Sequence, residues 1–145
     1  MKTKVFLDTN VLIDVLAGSR KYSPSSRVIF ELIKRGQIEA VLTTQSVLDA
    51  SYAIRHSFDH EAFSALVNWC CNHINMDSID TFDLRWACRR SSDDFEDDAQ
   101  YSHALESGCD IIVTGDKEFI SRYSQTGIQP EFFTPDELVN SIREA

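Results

Sequence analysis

The chain has 145 residues, of which 43% are hydrophobic and 26% charged, with a formal net charge of −9 and only five glycines and three prolines. That length is enough to bury a sizeable core in one domain spanning residues 1–145, and the balance excludes a disordered or low-complexity chain and a loop-rich all-β protein. A pI near 4.8 argues against a broad phosphate-binding face, which needs clustered Lys and Arg.

Val5-Phe6-Leu7 reads as a short buried strand that breaks into Asp8-Thr9-Asn10. Val11-Leu12-Ile13 and Val15-Leu16 continue as an apolar helix, with Asn10 as N-cap and Gly18 as its stop. Ser23-Pro24 reads as a cap plus first-turn proline, opening a helix with its stripe at Val28, Ile29, Leu32 and Ile33 and its end at Lys34-Arg35-Gly36. Residues Ile38 to Leu42 predict a second strand, and Thr43-Thr44 a turn or cap. The helix from about Gln45 to Arg55 sets Val47, Leu48, Ser51, Tyr52 and Ile54 on one broad face, with Asp49 a turn inside its start.

A further helix over His60 to Cys71 carries Phe63, Leu66, Val67 and Cys70 at i, i+3, i+4 and i+7. Thr81 to Arg90 predicts another. Ser91-Ser92 introduces an acidic helix that runs to Gly108, and the strand Ile111-Ile112-Val113 follows, ending in Thr114-Gly115-Asp116. Glu131-Phe132-Phe133 is the last predicted strand. Thr134-Pro135-Asp136-Glu137 then combines a cap, a proline at N1 and first-turn acids. Strands alternating with helices predict an α/β fold, a three-layer sandwich with a central, mostly parallel sheet flanked by helices.

Cys70, Cys71, Cys88 and Cys109 form no C-x-x-C pair, which favours reduced thiols over a zinc site and a cytoplasmic setting. The apolar run before Asp8 is too short for a signal-peptide core, and no stretch nears the roughly 20 residues of a membrane span.

Two segments share one grammar: a buried strand running into a turn that carries an aspartate, at Asp8 and at Asp116. In an open parallel sheet ligands bind outside the carboxyl ends of the strands, so neighbouring strands would bring these two carboxylates together. Asp49 and Asp97, in the first turns of their helices, point back over the same edge. Like charges held close repel, and a divalent cation with a few carboxylate ligands resolves the cost. Each acid also has a bland reading as a helix cap or a dipole-stabilised carboxylate. His56, His60, His73 and His103 lie outside these acid blocks and read as surface or packing residues.

V-F-L-D-T-N-V-L-I-D, S-V-L-D-A-S-Y-A-I-R, the run from D-D-F-E-D-D-A-Q-Y to I-I-V-T-G-D-K-E-F, and T-P-D-E-L occur in that order over nearly the whole chain. In this series the sequence resembles the PIN-domain nucleases, in particular their VapC-like branch. The resemblance implies a PIN-like fold, with Asp8, Asp49, Asp97 and Asp116 as catalytic, metal-holding acids and Asn10 and Thr114 as supporting polar positions. It implies one or two Mg²⁺ or Mn²⁺ ions that activate water and stabilise charge on an RNA phosphate. Two positions depart from the family's pattern. The second acid is usually glutamate and here is the shorter Asp49, and the third block offers Asp98 as a rival to Asp97. Arg20, Lys21, Arg55 and Lys117 are the candidate substrate contacts.

The same resemblance implies the toxin of a toxin–antitoxin pair, with a small antitoxin partner and a homodimer. The alternatives are a housekeeping RNA-processing nuclease and a non-catalytic scaffold that binds RNA or protein. Other Asp-rich α/β enzymes fit less well. A haloacid-dehalogenase-type phosphatase wants a second acid where this chain has Asn10, and a receiver domain wants an acid pair where Asp8 stands alone. No G-x-x-x-x-G-K-[ST] is present for a P-loop NTPase, and neither a Ser-His-Asp order nor a G-x-S-x-G elbow for a serine hydrolase.

Overall fold

The structure is a computed structural model that describes residues 2–90, 92–124 and 128–144. Strands β1 (Lys4–Leu7), β2 (Glu39–Thr43), β3 (Asn75–Asp77), β4 (Ile111–Val113) and β5 (Glu131–Phe133) form one sheet in the order β3-β2-β1-β4-β5. Every neighbouring pair is parallel. The chain steps outward from β1 to one edge and then returns to build the other. The strand order therefore reverses between β1 and β4, the point where a parallel sheet leaves a crevice at its carboxyl edge. Leu7 pairs with Val113 in register, so the residues after both strands emerge side by side.

Eight helices complete the described fold: α1 (Thr9–Ala17), α2 (Ser23–Lys34), α3 (Thr44–Ala53), α4 (His60–His73), α5 (Thr81–Arg90), α6 (Phe95–Glu106), α7 (Lys117–Tyr123) and α8 (Pro135–Glu144). The period of two along β1 sends Val5 and Leu7 to one face and Phe6 to the other. Val5 and Leu7 join a core with Leu12, Ile29, Leu42, Val47, Cys70 and Leu138, which seats α1 to α4 and α8. Phe6 joins Val41, Ala104, Ile112, Phe119 and Tyr123, which seats α6 and α7, with Trp86 of α5 against it. Each fully buried Val, Leu, Ile or Phe among them contributes about 1.5–3 kcal/mol. Helices thus cover both faces of an all-parallel sheet, the sandwich expected from the alternation of elements. No helix among the described residues is long and apolar enough to cross a membrane.

The differences from the sequence reading lie at element ends and edges. Asp8, not Asn10, caps α1, its carboxylate accepting from Thr9 N at 2.8 Å. Tyr22 rather than Ser23 occupies the N-cap of α2, and the Ser23 hydroxyl instead accepts from Arg20 N at 3.0 Å. Asp94 caps α6 through a 3.0 Å bond from Asp97 N, so the helix begins beyond Ser92; Ser91 lies outside the described residues. On α3 the buried residues are Ser46, Val47 and Ala50, with Ile54 buried at its C-cap, whereas Leu48 and Tyr52 are 65% and 68% exposed. The apolar residues of that helix fall on two adjacent rows, and only one meets the sheet. β3 and α7 carry no counterpart in the sequence reading. β3 is a three-residue edge strand with no apolar run; α7 shows only the i, i+4 pair Phe119 and Tyr123.

Candidate active site

Asp8 leaves the end of β1 at the crevice, and its two carboxylate oxygens are held separately. Thr9 N donates to Oδ1 at 2.8 Å, and the buried Thr114 hydroxyl donates to Oδ2 at 2.7 Å. The Thr114 oxygen in turn accepts from Asp116 N at 3.0 Å, so one hydroxyl links the turns after β1 and β4. Asp116 caps α7, with Oδ1 accepting from Glu118 N and Phe119 N at 3.0 and 3.4 Å. That capping leaves its other oxygen outside the helix end.

Asp8, Thr9, Asn10, Asp49, Tyr52, Asp94, Glu96, Asp97 and Asp116 line one cleft of about 420 Å³. The four aspartates singled out in the sequence therefore share a common wall, and Asn10 stands with them, while Thr114 lies buried beneath. Asp98 does not line the cleft: it is fully buried, with Ser92 Oγ donating to Oδ2 at 2.6 Å. The helical period separates the two neighbours, turning Asp97 toward the cleft and Asp98 into α6's packed side.

The electrostatics report crowding. Burial raises the Asp8 carboxyl above its ordinary range, opposed by its bonds from Thr114 and Thr9 and reinforced by Asp116 and Asp94. Asp97 is pushed up to about 7, first by burial and then by Asp94 and Asp8. Glu96 is also pushed up to about 7, chiefly by sharing a hydrogen bond with Asp49, then by burial and the Asp49 charge. Two carboxylates share such a bond only if one keeps a proton. Asp49 Oδ2 is buried, and no N–H or hydroxyl donor among the described residues reaches it. A buried acceptor without a donor, ringed by carboxylates of elevated basicity, is the donor set of a hard divalent cation, which takes a few carboxylate oxygens. The residues present fit such an ion.

Cations are sparse around this cleft. Arg122 Nη1 donates to Asp97 Oδ2 at 3.0 Å. Neither Arg122 nor the cleft-lining Asp94 and Glu96 stood among the site residues taken from the sequence; only the Phe119/Tyr123 spacing signalled a helix able to carry Arg122. The four basic candidates from the sequence lie further out. Arg20 is tied to buried Asp14 at 2.7 Å. With Lys21, Tyr22 and Gly115 it lines a groove of about 340 Å³ that shares Asn10 with the acid cleft. Tyr22 lies so close to Gly115 that a Cβ there would stand 2.8 Å from its ring. Arg55 stacks 3.7 Å from the Tyr52 ring centroid, at the opposite rim. Lys117 is exposed at the start of α7.

A second acidic group sits near the other end of α6. His103 is buried, with Nδ1 2.8 Å from Asp83 Oδ2 and Nε2 3.0 Å from Asp77 Oδ2. Ligand-type atoms of Asp80, Asp83, His103 and Glu106 lie within 4.8 Å of one another. Here, however, both ring nitrogens already face carboxylates, and Ser102 Oγ and Asp80 N satisfy Asp83 at 2.8 and 3.1 Å. These two carboxylates raise the His103 pKa despite its burial. Of the four histidines, His103 is thus an internal counter-ion, and His56, His60 and His73 are exposed.

The PIN domain family matches residues 4–118 of the chain. No curated protein sequence matches it. Similar solved structures include Mycobacterium tuberculosis VapC20, described as a sarcin–ricin-loop-cleaving toxin, with a TM-score of 0.67, 10% identity, and coverage of 87% of this chain and 97% of that one. VapBC2 from Rickettsia felis, bound to a DNA fragment from its promoter, has a TM-score of 0.62 at 11% identity, covering 91% of this chain and 98% of that one. FitAcB from Neisseria gonorrhoeae has a TM-score of 0.60 at 13% identity, covering 90% and 97%. At these identities the likeness is one of fold.

Proposed function

This chain belongs to the PIN-domain family, whose members are in general metal-dependent nucleases, and we propose that it is a Mg²⁺- or Mn²⁺-dependent endoribonuclease. The observation that carries the reading is the meeting of Asp8, Asp49, Asp97 and Asp116 in one cleft at the reversal of strand order. These four acids would hold one or two ions. When bound, such an ion supplies Lewis acidity and lowers the pKa of an attacking water.

The chain's own residues set the geometry. Thr9 N–H and the Thr114 hydroxyl fix the Asp8 carboxylate, and the α7 cap fixes Asp116. Asn10 stands at the junction of the acid cleft and the groove of Arg20 and Lys21, where a backbone phosphate next to the scissile one would pass. At the other rim, Tyr52 offers a half-free aromatic face backed by Arg55, suited to an unpaired base. Lys117 completes the set of candidate substrate contacts. Divalent ions held by these acids would bring positive charge to the scissile phosphate, which reconciles a −9 chain with an RNA substrate.

In this reading the protein is the cytoplasmic toxin of a toxin–antitoxin pair, held by a small antitoxin and assembled as a homodimer. The likeness of its fold to VapC20, VapBC2 and FitAcB supports this. An apolar groove between α3 and α4, lined by Val47, Leu48, Phe63 and Val67, supplies surface for protein contacts.

The test is cleavage of a broad single-stranded RNA pool with Mn²⁺, by wild type and Asp8→Asn. Metal-dependent cutting that falls by about 10³-fold or more in the variant is the expected result. A folded wild type that cuts nothing leaves the binding-scaffold alternative. Growth arrest on expression, relieved by the product of an adjacent gene, separates a toxin from a housekeeping nuclease.

A further inference from the structure

Among the described residues, Arg122 is the one cation in ion-pair contact with an acid of the cleft. Its side chain and that of Asp97 are 18% and 15% exposed, so the pair is largely shielded from water. Asp97 lies in the first turn of α6, and the nearby charges of Asp94 and Asp98 add to the field that holds the guanidinium there. The helix carrying it is anchored. Asp116 caps α7, and Phe119 and Tyr123 are buried on its inner side. The backbone holds still while a long, flexible side chain reaches across.

A guanidinium cannot shed its charge in a protein, so it leaves a carboxylate only by moving. Asp97, whose Oδ2 the guanidinium occupies, also lines the acid cleft that would take a divalent cation. The two cations therefore compete for one seat and repel each other. The substrate brings a phosphate to this same place, and planar guanidinium groups recognise phosphate oxygens well. Resting on the nuclease reading above, we propose that Arg122 is an exchangeable counter-ion: paired with Asp97 before a divalent cation binds, and turned to the substrate phosphate afterwards. The residue then opposes cation binding and assists the substrate, which couples the two ligands positively.

That double role has a signature that a structural salt bridge lacks. Mn²⁺ affinity is measured by calorimetry, and cleavage kinetics at saturating Mn²⁺, for wild type, R122K, R122Q and R122M. R122Q and R122M are expected to bind Mn²⁺ about tenfold more tightly, since removing a charge this close shifts site energetics by a unit or more. The same variants are expected to cleave RNA with a raised KM. R122K, which keeps the charge, is expected to bind Mn²⁺ as wild type does and to cleave between the two. Folded R122Q and R122M with unchanged or weaker Mn²⁺ affinity overturn the proposal. So does failure of both to fold by circular dichroism, which makes Arg122 a fixed structural partner. Wild type that binds Mn²⁺ but cuts no RNA sinks the nuclease reading instead, and the affinity gain still reports on the competition at Asp97.

Discussion

Helix α6 carries two acidic clusters, and the fold treats them in opposite ways. Toward its carboxyl end, Asp77 and Asp83 close on His103 from both sides, Ser102 and a backbone N–H fill remaining acceptor sites, and Asp83 and His103 are buried. At its amino end, Asp94, Glu96 and Asp97 join Asp8, Asp49 and Asp116 around a cleft, with a buried Asp49 oxygen that no N–H or hydroxyl reaches and with Glu96 and Asp97 elevated to about 7. The first cluster is neutralised from within, which is what a structural ion network requires. The second is held together by the surrounding fold despite its own repulsion, which agrees with the proposed cation-dependent role of the cleft.

The largest effect that tests this contrast is on stability. His103→Ala strips a buried imidazole from two carboxylates and is expected to cost about 3 kcal/mol in urea denaturation. If the variant still folds, Mn²⁺ binding should persist, because the cleft is untouched. The stabilisation from His103 has a defined pH sense. Its pKa is raised in the folded state, so the contribution is whole below about 6.5 and fades as pH climbs through the raised native value. Loss of Mn²⁺ binding in folded His103→Ala would mean that the two clusters are one system.

The acid cleft shares that pH sense, but as a repulsion that grows with pH rather than a pairing that fades. Glu96 and Asp97 keep protons up to about 7, whereas unfolded carboxyls release them near 4. Between those values the folded chain binds more protons, so cation-free stability falls as pH rises across the window. Thermal melts should show Mn²⁺ stabilising the protein more at pH 8 than at pH 5, and calorimetry should show protons released on binding near neutrality. Equal stabilisation at both values would break the comparison.

A smaller change separates the two neighbours on α6. Asp97→Asn is expected to weaken Mn²⁺ binding by about tenfold or more, while Asp98→Asn leaves it unchanged, as read by calorimetry. Glu96→Gln relieves the repulsion with Asp49 and should raise cation-free stability at pH 8, by less than the full shift because Glu96 is exposed and solvent screens it. Smallest of all, Leu48→Ser on the exposed row of α3 should shift monomer stability by less than about 0.5 kcal/mol. A larger loss would place that residue in an interface.

The strand-to-acid grammar at Asp8 and Asp116 was legible because a buried strand needs consecutive apolar residues and its terminating turn needs polar ones. Both requirements are local. Helix ends read less well. The Asp8 cap of α1 was assigned to Asn10, since several cap-forming residues stand in a row and only backbone direction chooses among them. β3 left no hydrophobic run because an edge strand is half exposed and is held by the ladder from β2.

What the sequence by itself determined is the order of elements, the all-helix covering of a parallel sheet and the acids that stand at strand and helix starts, because period, capping and burial act over a few residues. Tertiary structure alone decided that β1 and β4 lie adjacent, that Asp94 and Glu96 line the cleft beside Asp97, and that Arg122, not the cations of the α1–α2 turn, reaches its carboxylates. Those outcomes depend on how helices rotate and seat against the sheet, which is set by packing summed over the whole core rather than by any short stretch of residues.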